Sequence, residues 1–289
     1  MIKKILYLVN FSLLVFVTKF SFAQVTLQGV VMDTNGKPIP YANIVVATKK
    51  LGTFSDEAGR FELKTTHLES TTVVAFSCLG FKTEERSVKQ LLDGGSKIML
   101  KEKEKRLDEV VLQVRKLKTY KKGKTRFKNT DLIRYGSSFR EAAWNQPGHE
   151  LGMKFSLGSS KTSHLKEVAF YIKRNAFKHA VVRLNIYSLK QGKPIKKLSN
   201  VIVKLKDHFT GWKTVALSEL GLRVKEDVVL SIEFLNGSPK CYENPGGCGL
   251  FLSYYPTWFS PPMYSKAGVN SSWEVAKGRS LTMTLSYKQ

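Results

Sequence analysis

Four places in the chain hold residue types that could do chemistry. The first is GTFSDEAGRF, residues 52–61, where Asp56 and Glu57 stand side by side. Adjacent carboxylates could open a metal site, but a calcium loop needs several more oxygen ligands at fixed spacing. They are missing here. The acids lie between Phe54 and Phe61 and are followed by Gly59. Asp side chains bond nearby backbone amides in tight turns, and Gly supplies positive φ without steric cost. The stretch reads as a hairpin tip. The same grammar occurs at Asp33-Thr34-Asn35-Gly36.

The second place is His164-Leu165-Lys166-Glu167, which matches the short His-x-x-Glu pattern of a zinc peptidase. It enters the strand-like run LKEVAFYI, where residues three apart point to opposite faces. A shared metal is not expected there. Acids paired for glycosidic hydrolysis cannot be picked out by spacing, although Glu233 and Glu243 exist. There is no G-x-S-x-G elbow and no phosphate-cradling Gly loop before a helix. The expectation is a protein that is not an enzyme and uses no cofactor and no metal. A cryptic hydrolase stays an alternative.

Third, Cys241 and Cys248 flank the turn-like CYENPGGCG. In an oxidising compartment they form a candidate disulfide. A zinc pair is the alternative and would need further ligands. Cys78, inside TTVVAFSCLGF, reads as a small buried hydrophobe. Fourth, residues 250–274 gather Tyr254, Tyr255, Trp258, Phe259, Tyr264 and Trp273 among prolines. Aromatics on loops can stack on sugar rings or anchor a protein partner, or they can close the end of a core. Trp258 and Trp273 are the best ligand candidates; Trp144 and Trp212 are expected to pack.

The elements that must carry these residues are strands. VVRLNIYSL alternates Val182, Leu184 and Ile186 against Arg183 and Asn185. VVLSIEF alternates Val228, Leu230, Ile232 and Phe234 against Ser231 and Glu233. VIVKLKD, RFELK and LTMTLSY do the same. Period two with β-branched residues marks half-buried antiparallel strands, and Gly/Pro/Asn turns separate them. Helical pattern is nearly absent; Val88–Leu92 and Ser218–Leu220 make single turns at best. The fold expected is all-β.

Residues 1–23 read as a signal peptide: Lys3 and Lys4, an apolar run from Ile5 to Val17, then Ser21-Phe22-Ala23. The remaining chain is long enough for two domains. The formal net charge is +24, which favours anionic partners. Export argues against nucleic acid. Between residues 101 and 130 twelve Lys and Arg face four Asp and Glu, a composition suited to a solvated linker or to a basic binding arm.

One resemblance is specific. LQGVVMDTNGKPIPYANIVVATKKLGTFSDEAGRFELK, followed by VVAFSCLGFKTEE and LDEVVLQV, resembles the carboxypeptidase-regulatory-like domain of Bacteroidota envelope proteins. The carrying residues are Gly29, Val31, Asp33, Gly36, Pro38, Ile39, Ala42 and Ile44, then Gly52, Thr53, Asp56, Gly59 and Phe61, then Gly80-Phe81. The resemblance implies a seven-stranded, transthyretin-like sandwich without catalytic residues. LDEVVLQV is similar to the segment that follows this domain in TonB-dependent receptors, but the chain has no room for their large barrel. Residues 141–289 resemble, more weakly, a jelly-roll module. The expected organisation is a signal peptide at 1–23, the regulatory-like sandwich at 24–101, a basic linker at 102–140 and a jelly-roll-like sandwich at 141–289. The expected function is non-catalytic binding or scaffolding in the periplasm or at the cell surface, with peripheral association at the outer membrane as an option. The partner is an envelope protein or a polysaccharide, anionic ones included. The alternative is a carbohydrate-binding protein that uses the 250–274 aromatics.

Overall fold

The computed structural model describes residues 25–46, 48–49, 51–65, 68–104, 117–123, 125, 132–134, 148–158, 160–237, 249–256, 261–269 and 271–289. The expected signal peptide, the Cys241/Cys248 pair, Trp144, Trp258, Phe259 and Glu243 lie outside the described residues.

The alternating sequence of the first half builds β1 (Val25–Asp33), β2 (Asn43–Val46), β3 (Leu51–Phe54), β4 (Arg60–Thr65), β5 (Val73–Ser77), β6 (Glu84–Ser87) and β7 (Lys97–Leu100). They form two sheets, in the orders β4-β1-β7 and β3-β2-β5-β6. Leu27, Val31, Phe61, Leu63, Ile98 and Leu100 of one sheet meet Ile44, Val46, Val74 and Phe76 of the other. This is the seven-stranded sandwich that the resemblance implied. One helical turn, α1 (Val88–Leu92), starts with a Ser87/Gln90 capping box and buries Val88 and Leu91.

Both Asp turns form as read. Asp56 Oδ1 accepts from the backbone N–H of Ala58 at 2.9 Å and of Arg60 at 2.8 Å, and Oδ2 accepts from Arg60 Nε at 2.9 Å. Asp33 Oδ1 accepts from the N–H of Asn35 and of Lys37. Gly59 has φ +74°, and a Cβ there would sit 2.4 Å from the Val31 carbonyl oxygen. The position requires glycine for conformation and for space.

The second half builds β8 (Thr119–Gly123), β9 (Leu132–Arg134), β10 (His149–Phe155), β11 (Ser163–Asn175), β12 (His179–Lys190), β13 (Lys193–Lys206), β14 (Gly211–Ala216), β15 (Arg223–Val224), β16 (Val228–Gly237), β17 (Leu250–Pro256), β18 (Met263–Ala267), β19 (Glu274–Ala276), β20 (Arg279–Leu281) and β21 (Met283–Lys288). A six-stranded sheet runs β13-β12-β16-β10-β18-β19. It faces a sheet ordered β20-β17-β11-β21-β8, with β9, β14 and β15 paired alongside. Their inner faces share one core, with Leu184, Ile186, Leu230 and Ile232 opposite Val168, Phe170, Met283 and Leu285. The protein is all-β, two sandwiches in sequence. Two stretches of the segment expected as a linker are paired strands: β8 runs antiparallel to β21, and β9 to β17.

One expectation about strand faces fails. A bulge in β11 between Leu165 and Glu167 lets Leu165 and Val168 both enter the core. An extra residue in one strand resets the alternation. His164 and Glu167 therefore share the outer face. No group of three or more His, Cys, Asp or Glu that could hold a metal ion occurs among the described residues.

Candidate functional site: a buried acid pair beneath the first sandwich

The six-stranded sheet departs from the usual one-face-wet arrangement of antiparallel sheets. Its outer face is also buried along its central strands, and polar side chains fill it: Glu150 and Glu233 are each 1% exposed, Asn185 and Ser231 0%, and Arg183 5%. Strand register places these groups. Arg183 on β12 lies opposite Glu233 on β16, Glu233 lies opposite Glu150 on β10, and Glu150 lies opposite Lys266 on β18. One row across four strands thus reads cation, acid, acid, cation.

Two like charges directly opposite destabilise a sheet, so the acids need compensation. All four carboxylate oxygens accept hydrogen bonds from the chain itself. Glu150 Oε1 accepts from Tyr187 Oη at 2.7 Å. Its Oε2 accepts from Asn185 Nδ2 at 2.9 Å and Ser231 Oγ at 2.5 Å. Glu233 Oε1 accepts from the Gly148 N–H at 2.6 Å, and Oε2 from Asn185 Nδ2 at 3.0 Å and Arg183 Nη1 at 3.3 Å. One Asn185 amide therefore holds both carboxylates.

The pair divides its charge. Burial pushes the Glu150 carboxyl up, and the neighbouring Glu233 charge adds to that. Burial also disfavours charge on Glu233. The Arg183 guanidinium, with Lys197 and the hydrogen bonds, outweighs it and holds Glu233 below the usual range. Tyr187 is raised by burial and by Glu150.

The first sandwich is seated on this face. Arg183 Nη1 donates to Asn43 Oδ1 at 3.0 Å, and Nη2 donates to the Tyr41 carbonyl oxygen. Glu57 tightens the joint: it pairs with Lys204 at 2.7 Å and accepts from Tyr41 Oη at 3.0 Å. Lys204 and Tyr41 hold the Glu57 carboxyl below its ordinary range. The Tyr41 hydroxyl is pushed up to about 12, by burial first and then by Glu57. In the opening stretch, then, Asp56 makes the turn and Glu57 ties the sandwiches together.

The aromatic candidates separate. Tyr264, 2% exposed, lies on the outer face of the six-stranded sheet and donates to the Gly192 carbonyl oxygen. Trp273, half-buried, meets Tyr187 edge-on at 5.2 Å and Tyr264 at 6.4 Å, with Lys266 Nζ 6.0 Å from its ring centre. Tyr254, on β17 of the other sheet, packs against the core with Arg279 over its ring, and Tyr255 is half-buried beside it. Trp212, expected to pack, is 38% exposed and meets Tyr171 edge-on. Cys78 follows β5 in a turn, half-buried, with its thiol pushed up by burial. Sequence reasoning assigned Arg183, Asn185 and Glu233 to polar strand faces but did not gather them with Glu150. The strand order that does so is not written in any one segment.

Comparison with known proteins locates the first sandwich. Residues 27–112 match the family described as CarboxypepD_reg-like domain. The TonB-dependent receptor SusC of Bacteroides thetaiotaomicron is 32% identical over 99 residues, covering 34% of this chain and 9% of the receptor. The chain thus spans less than a tenth of that relative. Among solved structures, the clostridial cysteine protease Cwp84 after propeptide cleavage aligns with 60% of this chain and 40% of its own, at 12% identity and a TM-score of 0.40. BcpA, the major pilin subunit of Bacillus cereus, aligns with 90% and 69%, at 10% identity and a TM-score of 0.19.

Proposed function

We propose that this is an exported, non-catalytic protein of the cell envelope, whose two docked sandwiches form a binding or scaffolding unit. Its partner is an envelope protein or an anionic polysaccharide. The observation that carries the reading is the state of the acid pair. Every oxygen of Glu150 and Glu233 already accepts a hydrogen bond from the chain, and both carboxylates are buried. A hydrolytic acid pair must instead face a glycosidic bond and a water. These acids serve the joint between the sandwiches. The match of residues 27–112 to a CarboxypepD_reg-like domain and the likeness to a stretch of SusC support an envelope setting. The formal charge of +24 supports an anionic partner.

A second reading, carbohydrate binding through aromatics, is favoured by Trp273, which stays partly open beside Lys266. One experiment tests both: binding of the mature chain to neutral and anionic polysaccharides at low and high salt, beside Trp273→Ala. Salt-sensitive binding of anionic polymers, indifferent to Trp273, is the expected result, because exposed charges are screened beyond ~8–10 Å at physiological ionic strength. Salt-resistant binding lost in the variant favours the second reading. Turnover of any polysaccharide in the panel overturns the non-catalytic assignment.

A further inference from the structure

Where the two sandwiches meet, a cavity of about 250 Å³ remains open beside Arg183. Its polar lining comes from both sides: Asn43, Thr83 and Lys103 from the first sandwich, Arg183, Lys197 and Asn200 from the second. Among the described residues that line it there is no carboxylate. We propose that this cavity is a binding site for a single oxyanion-bearing group, the carboxylate of an acidic sugar or a sulfate ester.

The argument is one of excess positive charge: Arg183, Lys197 and the exposed Lys103 line the cavity, and Glu233, buried behind Arg183, is the one ionised acid among the described residues held against them. The Lys197 ammonium lies 5.3 Å from the centre of the Tyr187 ring. It acts on Glu233 through its field, and its N–H donors are open to a ligand, since it makes no direct ion pair within 4.0 Å among the described residues. Lys103 has no side-chain partner among them, and its backbone N–H is engaged by the Gly80 carbonyl. Arg183 is paired with Glu233, but that bond and those to Asn43 and Tyr41 occupy three of its five N–H donors. Cations concentrated in a cleft with low-dielectric walls raise the local concentration of anions. The apolar part of the lining, Leu79, Phe81 and Ile202, supplies such walls.

The neighbouring groove offers a contrast. It is larger, about 730 Å³, and Asp56 and Glu62 line it together with Arg60. Asp56 is paired with Arg60 there, and Glu62 with Lys64 beside the groove, so it carries no excess of cations. The size of the smaller cavity bounds the ligand. At about 250 Å³ it falls below the ~300–1,000 Å³ of drug-sized sites. It suits one sugar residue or a terminal charged group, with a longer polymer running out into solvent. Asn43, Thr83 and Asn200 can then bond the hydroxyls beside the anion. The inference deepens the reading above and rests on it in taking the natural partner to be anionic.

The test uses the mature full-length chain with three probes: glucuronate, glucose 6-sulfate and glucose. Binding is measured by calorimetry, with site-resolved alkylation of Cys78, which also lines the cavity, as a second readout. The expected result is binding of one or both anions, protection of Cys78, and no binding of glucose. Which anion binds tells carboxylate from sulfate ester. Lys103→Gln should weaken binding threefold or more and Lys197→Gln tenfold or more. Lys206→Gln, which removes the same charge from an exposed position outside the cavity, should leave it unchanged. Glucose binding as well as the anions, equal losses in all three variants, or no binding of either anion overturns the proposal. Polysaccharide binding without small-anion binding overturns this site alone and leaves the envelope-binding reading in place. Small-anion binding without any polymer binding keeps the site and removes the polysaccharide as partner.

Discussion

The two sandwiches handle their acids in opposite ways. In the first, Asp33 and Asp56 are satisfied within four residues of themselves, by backbone N–H groups of the turns that they create. In the second, Glu150 and Glu233 are satisfied by Asn185, Tyr187, Ser231 and Arg183, residues 35 to 81 positions away. The local acids, Asp56 near solvent and Asp33 at 8% exposure, each shape a loop. The distant acids are buried and hold three strands and a neighbouring sandwich. Local satisfaction makes an acid a turn former; distant satisfaction makes it a joint.

The largest effect expected from this contrast comes from Glu233→Gln. The substitution leaves Arg183 buried opposite an uncharged amide. Removing one partner of a buried pair costs about 3–5 kcal/mol, because the other charge remains without compensation. The loss should appear in urea denaturation of the mature chain. It should come with faster proteolysis between the sandwiches, since Arg183 also holds Tyr41 and Asn43. A loss below about 1 kcal/mol would mean that the pair is not sealed from water, and the contrast with the turn-forming acids would collapse.

Glu150→Gln sharpens the same comparison through pH. Burial, and then Glu233, raise the Glu150 carboxyl. The folded protein therefore keeps a proton that the unfolded chain releases near pH ~4.3. Stability from this group is full below that pH and is lost as pH rises toward the folded value. Glutamine is neutral throughout, so the variant should gain on the parent as pH rises from about 4 to neutrality. Denaturation at pH 4 and pH 7.5 reads the sign. A difference that shrinks with pH would mean that Glu150 is ionised in the fold and that Tyr187, Ser231 and Asn185 stabilise its charge.

What could be read in the sequence follows the same division. The turns at Asp33 and Asp56 were legible because their chemistry is local: Asp, then Gly, at a spacing that a backbone turn requires. The strands were legible because alternation is a property of one segment, and Val182, Leu184, Ile186, Leu230 and Ile232 are core residues as the alternation expects. The acid pair was not legible. Arg183, Asn185 and Glu233 fall on polar strand faces, and a polar face ordinarily means solvent. Only the order β12-β16-β10 makes them neighbours, and the cover over that face comes from elsewhere in the chain, from the first sandwich at Arg183 and from Trp273 at Tyr187. The bulge in β11 was hidden for a related reason. One extra residue leaves the local composition unchanged and still moves Glu167 to the other face.

The smallest effect lies at the hairpin tip and checks that the local acids are as independent as they look. Asp56→Ala removes an acceptor for two backbone N–H groups and for Arg60, all near solvent. Water can replace those bonds, so the loss should be about 1 kcal/mol. It should fall on the first sandwich and leave hydrogen-exchange protection of β12 and β16 unchanged. Asp56→Asn keeps an oxygen that can accept the same backbone bonds and should restore most of the loss, because the turn needs an acceptor more than a charge. If Asn fares no better than Ala, the ion pair with Arg60 at 2.9 Å carries the tip. If β12 also loses protection, the strain reaches the joint through the adjacent Glu57 and its Lys204 partner, and the division between local and distant acids runs through the middle of Asp56-Glu57.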